Sequence, residues 1–452
     1  MIPKLLKWGP AFVCFAVTLI FCLLFFYRAP FHDHWDIVPL FAQLKDGTLA
    51  SRDLFALHGN HWHASGYVVQ LGLGELTAMN HRVESLVSVL VAGVGFIALW
   101  RMLERSITQL KVANGPILWV FGLSAFFLFS LDQAGNWLWG WQVAVFINVA
   151  GALWTIERLT SGRPTLLNTI LAVISAAAAI YAFGTGWVLL PIGFILLLSF
   201  GAWRTLQGRA SLAIWAVFTG LLLWHFSIAL TASSAAYSSS ALPDLMDVSA
   251  IIGVIHYAIN FVASPIVRFA RDISIPITLI GMGILIWSGW TVWRADRTNA
   301  WAGLAPFLSM AGFAFGSGLL TAFGRWETFG VKQAFVSRYI TFGTFFWIAV
   351  FVVAALAIAK SSHQTHRRLF GVLGLLLVLK IGNIPSVVQK SVRLSNDIRA
   401  AAEHLAENHP NAAVDHYKVL HSPLQTVDPQ IETLATHRVS LFSDVPPEAD
   451  TE

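Results

Sequence analysis

Long apolar runs separated by short polar segments dominate the chain. About 20 consecutive apolar residues cross a bilayer as a helix. On that measure the pattern predicts eleven spans, at 10–27, 83–100, 116–130, 143–156, 166–182, 187–200, 210–230, 273–293, 301–323, 339–359 and 369–384. The runs at 116–130, 143–156 and 187–200 are short for a crossing. The apolar stretch Ile251–Pro265 reads as an outside-facing interfacial or re-entrant helix ending at Ser264-Pro265, and an odd number of spans then puts the C-terminal tail outside. The first run follows Lys4 and Lys7, as in a signal peptide. Tyr27-Arg28-Ala29-Pro30 offers no small-residue cleavage site after it, so it reads as a retained anchor.

The expected fold class is therefore an all-α polytopic membrane protein. Residues 1–384 form its transmembrane domain, with a large first loop at 28–82, and residues 385–452 form a tail. The run Thr231–Ala241 is rich in Ser and Ala and reads as a loop. Val387, Leu394, Ile398, Ala401 and Leu405 predict one amphipathic helix in the tail. No internal repeat is visible.

Composition sharpens this picture. The 452 residues are 56% hydrophobic and only 12% charged, against about 25% charged in soluble domains. That excludes a soluble enzyme, a disordered chain and a disulfide scaffold. The only cysteines, Cys14 and Cys22, lie in the first apolar run, which leaves no thiolate metal site or redox framework.

Charge supplies the orientation. With the N-terminus in the cytoplasm, the inside segments hold Lys4, Lys7, Arg101, Arg105, Lys111, Arg158, Arg163, Arg204, Arg209, Arg294, Arg297, Lys360, Arg367 and Arg368. They hold only three acids, Glu104, Glu157 and Asp296. Basic residues in short inside loops are what the positive-inside rule expects. The surplus of positive charge thus reports topology, and no nucleic-acid partner is expected. The long polar segments (28–82, 231–272, 324–338 and the tail) all fall on the other face. A bacterial inner membrane, with the working face in the periplasm, is the expected location.

Three outside segments carry candidate chemistry. The first loop opens with Phe31-His32-Asp33-His34-Trp35-Asp36. If this turn is helical, Asp33 and Asp36 share a face at i, i+3, where they suit a general base or a cation ligand. They equally suit helix capping at the membrane surface. The same loop continues with His58-Gly59-Asn60-His61-Trp62-His63, and six of the chain's 15 histidines lie in it. Imidazole and carboxylate together suit a divalent metal, proton transfer or phosphate contact. The spacing matches no closed zinc motif, so no resident cofactor is expected.

The second segment is Gly324-Arg325-Trp326-Glu327-Thr328-Phe329-Gly330, continuing through Lys332 to Ser337-Arg338-Tyr339. Cations here run against the positive-inside trend and imply a specific partner, such as a lipid phosphate gripped by arginine. Snorkelling at helix ends is the bland alternative. The third is Asn136-Trp137-Leu138-Trp139-Gly140-Trp141-Gln142, whose tryptophans suit either sugar stacking or an interfacial belt.

Taken in order, these residues resemble the GT-C glycosyltransferase superfamily, and more closely a bacterial polytopic group with that plan. The resemblance rests on Asp33-His34-Trp35, Asn60-His61-Trp62, Asn136 through Gln142, and Gly324-Arg325 with Ser337-Arg338-Tyr339. It covers roughly residues 1–385 and not the tail. His34 stands where the pattern has a second acid, and Trp62 where it has a basic residue. The resemblance implies an inverting transferase. Its donor would be a polyprenyl-phosphate-linked sugar and its acceptor a cell-envelope glycan or lipid. It implies Asp33 or Asp36 as base with His61 nearby. Arg325, Lys332, Arg338 and Tyr339, with Trp137 and Trp139, would bind substrate and its phosphate. A lipid-linked-sugar flippase or other transporter is the competing class. Transporters favour charges deep in spans and paired halves, neither of which is evident. A scaffold acting through its tail is a third class.

Overall fold

The computed structural model describes residues 2–112, 117–233, 246–360, 363–421 and 427–443. Most of the run Thr231–Ala241, and the side chains of Lys4, Lys7, Arg367 and Arg368, lie outside the described residues. The fold is helical: α1 (Ile2–Phe25), α2 (Ile37–Lys45), α3 (Ser51–Leu54), α4 (Ala64–Thr77), α5 (His81–Gln109), α6 (Trp119–Leu128), α7 (Ala134–Leu138), α8 (Val143–Leu159) and α9 (Leu166–Ala182). There follow α10 (Leu189–Ser199), α11 (Leu206–Ser233), α12 (Val248–Val267), α13 (Ser274–Ala295), α14 (Ala300–Phe329), α15 (Ser337–Lys360), α16 (His363–Asn408) and α17 (Asp428–His437). Among the described residues the only sheet is a hairpin, β1 (Leu57–His58) paired with β2 (His61–Trp62).

Helices dominate because lipid offers the backbone no hydrogen-bond partner, so each apolar run must bond within itself. Among the described residues, eight helices are long and apolar enough to cross a membrane. Four predicted runs form shorter helices instead: α6, α8, α9 and α10 have 10, 17, 17 and 11 residues. Small residues let the central helices approach closely. A Cβ added at Gly151 on α8 would lie 2.5 Å from the Ser175 carbonyl oxygen on α9.

The bundle has a short-loop end and a loop-rich end. At the first, Trp8 of α1 stacks on Trp100 of α5 with ring centroids 3.6 Å apart. At the second, the Tyr27 backbone N–H donates to the Leu138 carbonyl. Helix α12 is among the eight long apolar helices, and it continues through Pro265 to Val267, past the expected stop. Both of its ends meet the loop-rich end. Near its start Gly253 packs under the Trp326 ring. Midway, the Tyr257 hydroxyl donates to Gln333 and Asn260 donates to the Val331 carbonyl. Just beyond its end Arg268 donates to the Asp132 carbonyl. The helix thus packs against the loop-rich end, and where the sequence reads an interfacial or re-entrant helix the structure has one long and apolar enough to cross a membrane.

The tail is joined to the rest more closely than the sequence suggests. Helix α16 has 46 residues and runs straight through the expected boundary at 384/385, with Pro385 inside it. A buried Lys380–Asp132 ion pair ties it to the segment before α7. Beyond the bundle, a second apolar cluster combines first-loop residues such as Trp35, Val38 and Phe41 with tail residues such as Ile398, Leu420 and Phe442. Trp35 donates its indole N–H to the Leu420 carbonyl at 2.9 Å.

Candidate functional site at the loop-rich end

The site begins with one short turn. Residues His32–Asp36 form a 3₁₀ helix, entered through His32 in the left-handed region at φ 47°. A 3₁₀ helix has three residues per turn, so i and i+3 eclipse. Asp33 and Asp36 therefore share one face, half-exposed, while His34 and Trp35 are buried behind them.

The hairpin brings an imidazole to both carboxylates. Gly59 at φ 61° opens its two-residue turn, a backbone that glycine adopts freely. The turn pairs His58 across from His61. His58 Nδ1 lies 3.4 Å from Asp36 Oδ2, and its Nε2 lies 4.0 Å from Asp33 Oδ2. The sequence favoured His61 for this place, but its ring turns toward Phe183, with centroids 4.8 Å apart. The Gly-Asn dipeptide between His58 and His61 is the sequence signal for a hairpin that would have exposed the difference.

The second segment arrives from the other half of the chain. Arg338, at the start of α15, places Nη1 3.8 Å from Asp33 Oδ2. Asn136 fixes this corner by donating to the Ser337 carbonyl and to the Thr341 hydroxyl. The stretch expected to be a loop from Gly324 is helical as far as Phe329, and Gly330 at φ 70° ends α14. Arg325 thus sits on the last turns of α14, its guanidinium 5.5 Å from the Phe329 ring centroid. Gly324 approaches Asn60 of the hairpin.

Electrostatics separate the groups by task. Burial pushes the Asp36 carboxyl above its ordinary value; His58 opposes this and the like charge of Asp33 adds to it. Burial, with the positive fields of His58, Arg325 and Arg338, holds His61 down to about 3. His61 is therefore neutral at physiological pH and can offer a hydrogen bond but no charge.

The remaining expected residues lie elsewhere. Lys332 opens onto a separate cavity of about 290 Å³ with Arg268, Arg271 and Lys390. Tyr339 is buried against Phe261. Trp137 is 0% exposed, stacks on Phe146 and donates to the Ser130 carbonyl, so it is core and offers no sugar platform. Trp139 is buried against Phe31. Trp141, unassigned from sequence, is also buried and stacks on His63 at 4.0 Å. Sequence alone cannot separate a belt tryptophan from a core one, since both read as aromatic residues at the ends of apolar runs.

Behind the turn sits a buried trio. Glu84 Oε2 lies 2.9 Å from His81 Nδ1 and 3.3 Å from His34 Nε2. Gly140 makes room for it, since a Cβ there would lie 2.1 Å from Glu84 Oε2. These three are the described residues placed to share a metal ion.

Comparison with protein-family models, curated proteins and solved structures finds no match to the chain.

Proposed function

We propose that this protein is a GT-C-type integral membrane glycosyltransferase, moving a sugar from a polyprenyl-phosphate donor to a cell-envelope acceptor. The observation that carries the reading is the meeting of two distant segments. Asp33 and Asp36 of the first loop share one corner with Arg338 and the Arg325 end of α14. In this reading eleven helices cross the bacterial inner membrane, α12 lies at its outer surface, the N-terminus is cytoplasmic and the loop-rich end faces the periplasm.

The chemistry follows from the charges. Asp36, with its raised pKa, takes the proton from the acceptor hydroxyl. That oxygen bonds to the anomeric carbon from the face opposite the phosphate. The carbon–oxygen bond to the phosphate breaks, and the phosphate leaves with the electron pair. Arg338 and Arg325 meet the charge that develops there, so they act mainly on the transition state. Asp33, beside Arg338 and His58, holds both in place. The depth of these arginines suits a lipid phosphate at the headgroup level.

The test is turnover of purified protein with a polyprenyl-phosphate sugar. Asp33→Asn and Asp36→Asn remove half-exposed charges, so both variants should fold. Loss of a general base costs about 10²–10⁴-fold, and at least one variant should show it. Wild-type turnover in both would end the catalytic assignment.

A further inference from the structure

From the buried trio behind the turn we infer a divalent-metal site, with zinc the best match, held by His34 Nε2, His81 Nδ1 and Glu84 Oε2. The inference is independent of the transferase reading, because its readout is metal content and not turnover.

The donor set is the first argument. Two imidazole nitrogens and one carboxylate oxygen, all within 4.8 Å of one another, come from residues that are 1%, 2% and 1% exposed. Zinc takes histidine and carboxylate ligands in this combination at about 2.0–2.2 Å. Separations of 2.9 and 3.3 Å between Glu84 Oε2 and the two nitrogens are those of atoms around one small ion.

The second argument is a buried nitrogen whose only close polar neighbour is shared. His34 Nε2 is enclosed without a hydrogen bond of good geometry, 3.3 Å from Glu84 Oε2. It faces an oxygen that already receives His81. A cation at this point would take both the nitrogen and the oxygen as ligands.

The third argument is the outer hydrogen bond. Ligating histidines generally pass their other ring nitrogen to a nearby polar group, which fixes tautomer and orientation. His81 does so: Nε2 lies 2.8 Å from the Ser440 hydroxyl of the tail. The ion would join three parts of the chain at one point. They are the turn that carries Asp33 and Asp36, the first turn of α5, and, through Ser440, the tail. Its role is to fix the turn from behind, out of reach of the donor.

The experiment is a zinc titration of the full-length protein in detergent, purified without chelators, followed by metal analysis after desalting. Wild type should keep one zinc per chain. Glu84→Gln, which keeps the volume and one hydrogen-bonding oxygen, should lose it. Ser440→Ala should weaken binding by about 10–100-fold. His404→Ala alters the exposed His404–His416 pair and should change nothing. Should Glu84→Gln not fold, cobalt added to wild type decides: a tetrahedral visible spectrum supports the site. Folded wild type that retains no zinc, no such cobalt spectrum, or zinc retained equally by Glu84→Gln would overturn the inference.

Discussion

Two glutamates are buried at opposite ends of the bundle, and they are compensated by different chemistry. Glu157, at the short-loop end, is 0% exposed and meets Arg105, Arg101 at 3.0 Å and Arg158 at 3.3 Å. Glu84, at the loop-rich end, meets His34 and His81. Arginine is charged at any accessible pH, whereas histidine changes charge near neutrality and binds metals. One end is therefore fastened by permanent charges. The other is fastened by two imidazoles, beside the carboxylates to which we assign the chemistry.

The largest expected effect breaks the permanent latch. Glu157→Gln leaves three guanidinium groups facing each other without a counter-charge. Removing one partner of a buried pair costs about 3–5 kcal/mol. The thermal midpoint in detergent should fall steeply while turnover per folded molecule stays unchanged. A variant as stable as wild type, or folded but inactive, would put function at the wrong end.

Next in size is the response to pH. Burial holds His34, His61 and His63 below their ordinary values. The folded protein takes up protons on them less readily than the unfolded chain, which protonates them below about pH 6.5. The unfolded state then binds more protons, so stability falls as pH falls through that value. A histidine that stays neutral in the folded state contributes a slope of at most ~1.4 kcal/mol per pH unit below it. Asp36, whose pKa is raised, opposes this with one group against three. The midpoint should be lower at pH 5.5 than at pH 7.5. A flat or inverted profile would mean that the loop-rich end is not held by neutral imidazoles.

Much of this contrast was legible in the sequence, and the limits are physical. Apolar run length located the helices, though not which are long enough to cross: four runs form helices of 17 residues or fewer, and the stretch read as interfacial is among the long ones. The spacing of Asp33 and Asp36 put them on one face. The opposing trio was not legible, because His34 and Glu84 are 50 positions apart and no local period links them. The tail read as separate because the apolar run ends at 384, yet α16 passes Pro385 unbroken. A proline in a long helix removes one hydrogen bond but need not end it when neighbours support it. Trp137 and Trp139 read as possible sugar platforms, yet both are buried.

Two smaller effects sharpen the map of the loop-rich end. Arg338→Lys keeps the charge but loses the planar fork. It should lower kcat by about tenfold with a smaller change in donor KM, the pattern of an interaction made in the transition state. Unchanged kcat would leave Arg338 a headgroup anchor. Lys332 opens onto the other cavity, so Lys332→Gln should change turnover by less than about threefold, within the range of a surface charge. A loss as large as that of Arg338→Lys would return Lys332 to the site.

The central claim is that the Asp33–Asp36 corner breaks a bond from sugar to lipid phosphate. The most direct measurement follows a polyprenyl-phosphate sugar, labelled in the sugar, in vesicles containing the purified protein. Label should leave the lipid for an acceptor hydroxyl with inverted anomeric configuration. Asp33→Asn or Asp36→Asn should stop this transfer while Glu157→Gln, per folded molecule, should not. Label that crosses the bilayer still attached to its lipid, with no bond broken, would contradict the account and identify a transporter.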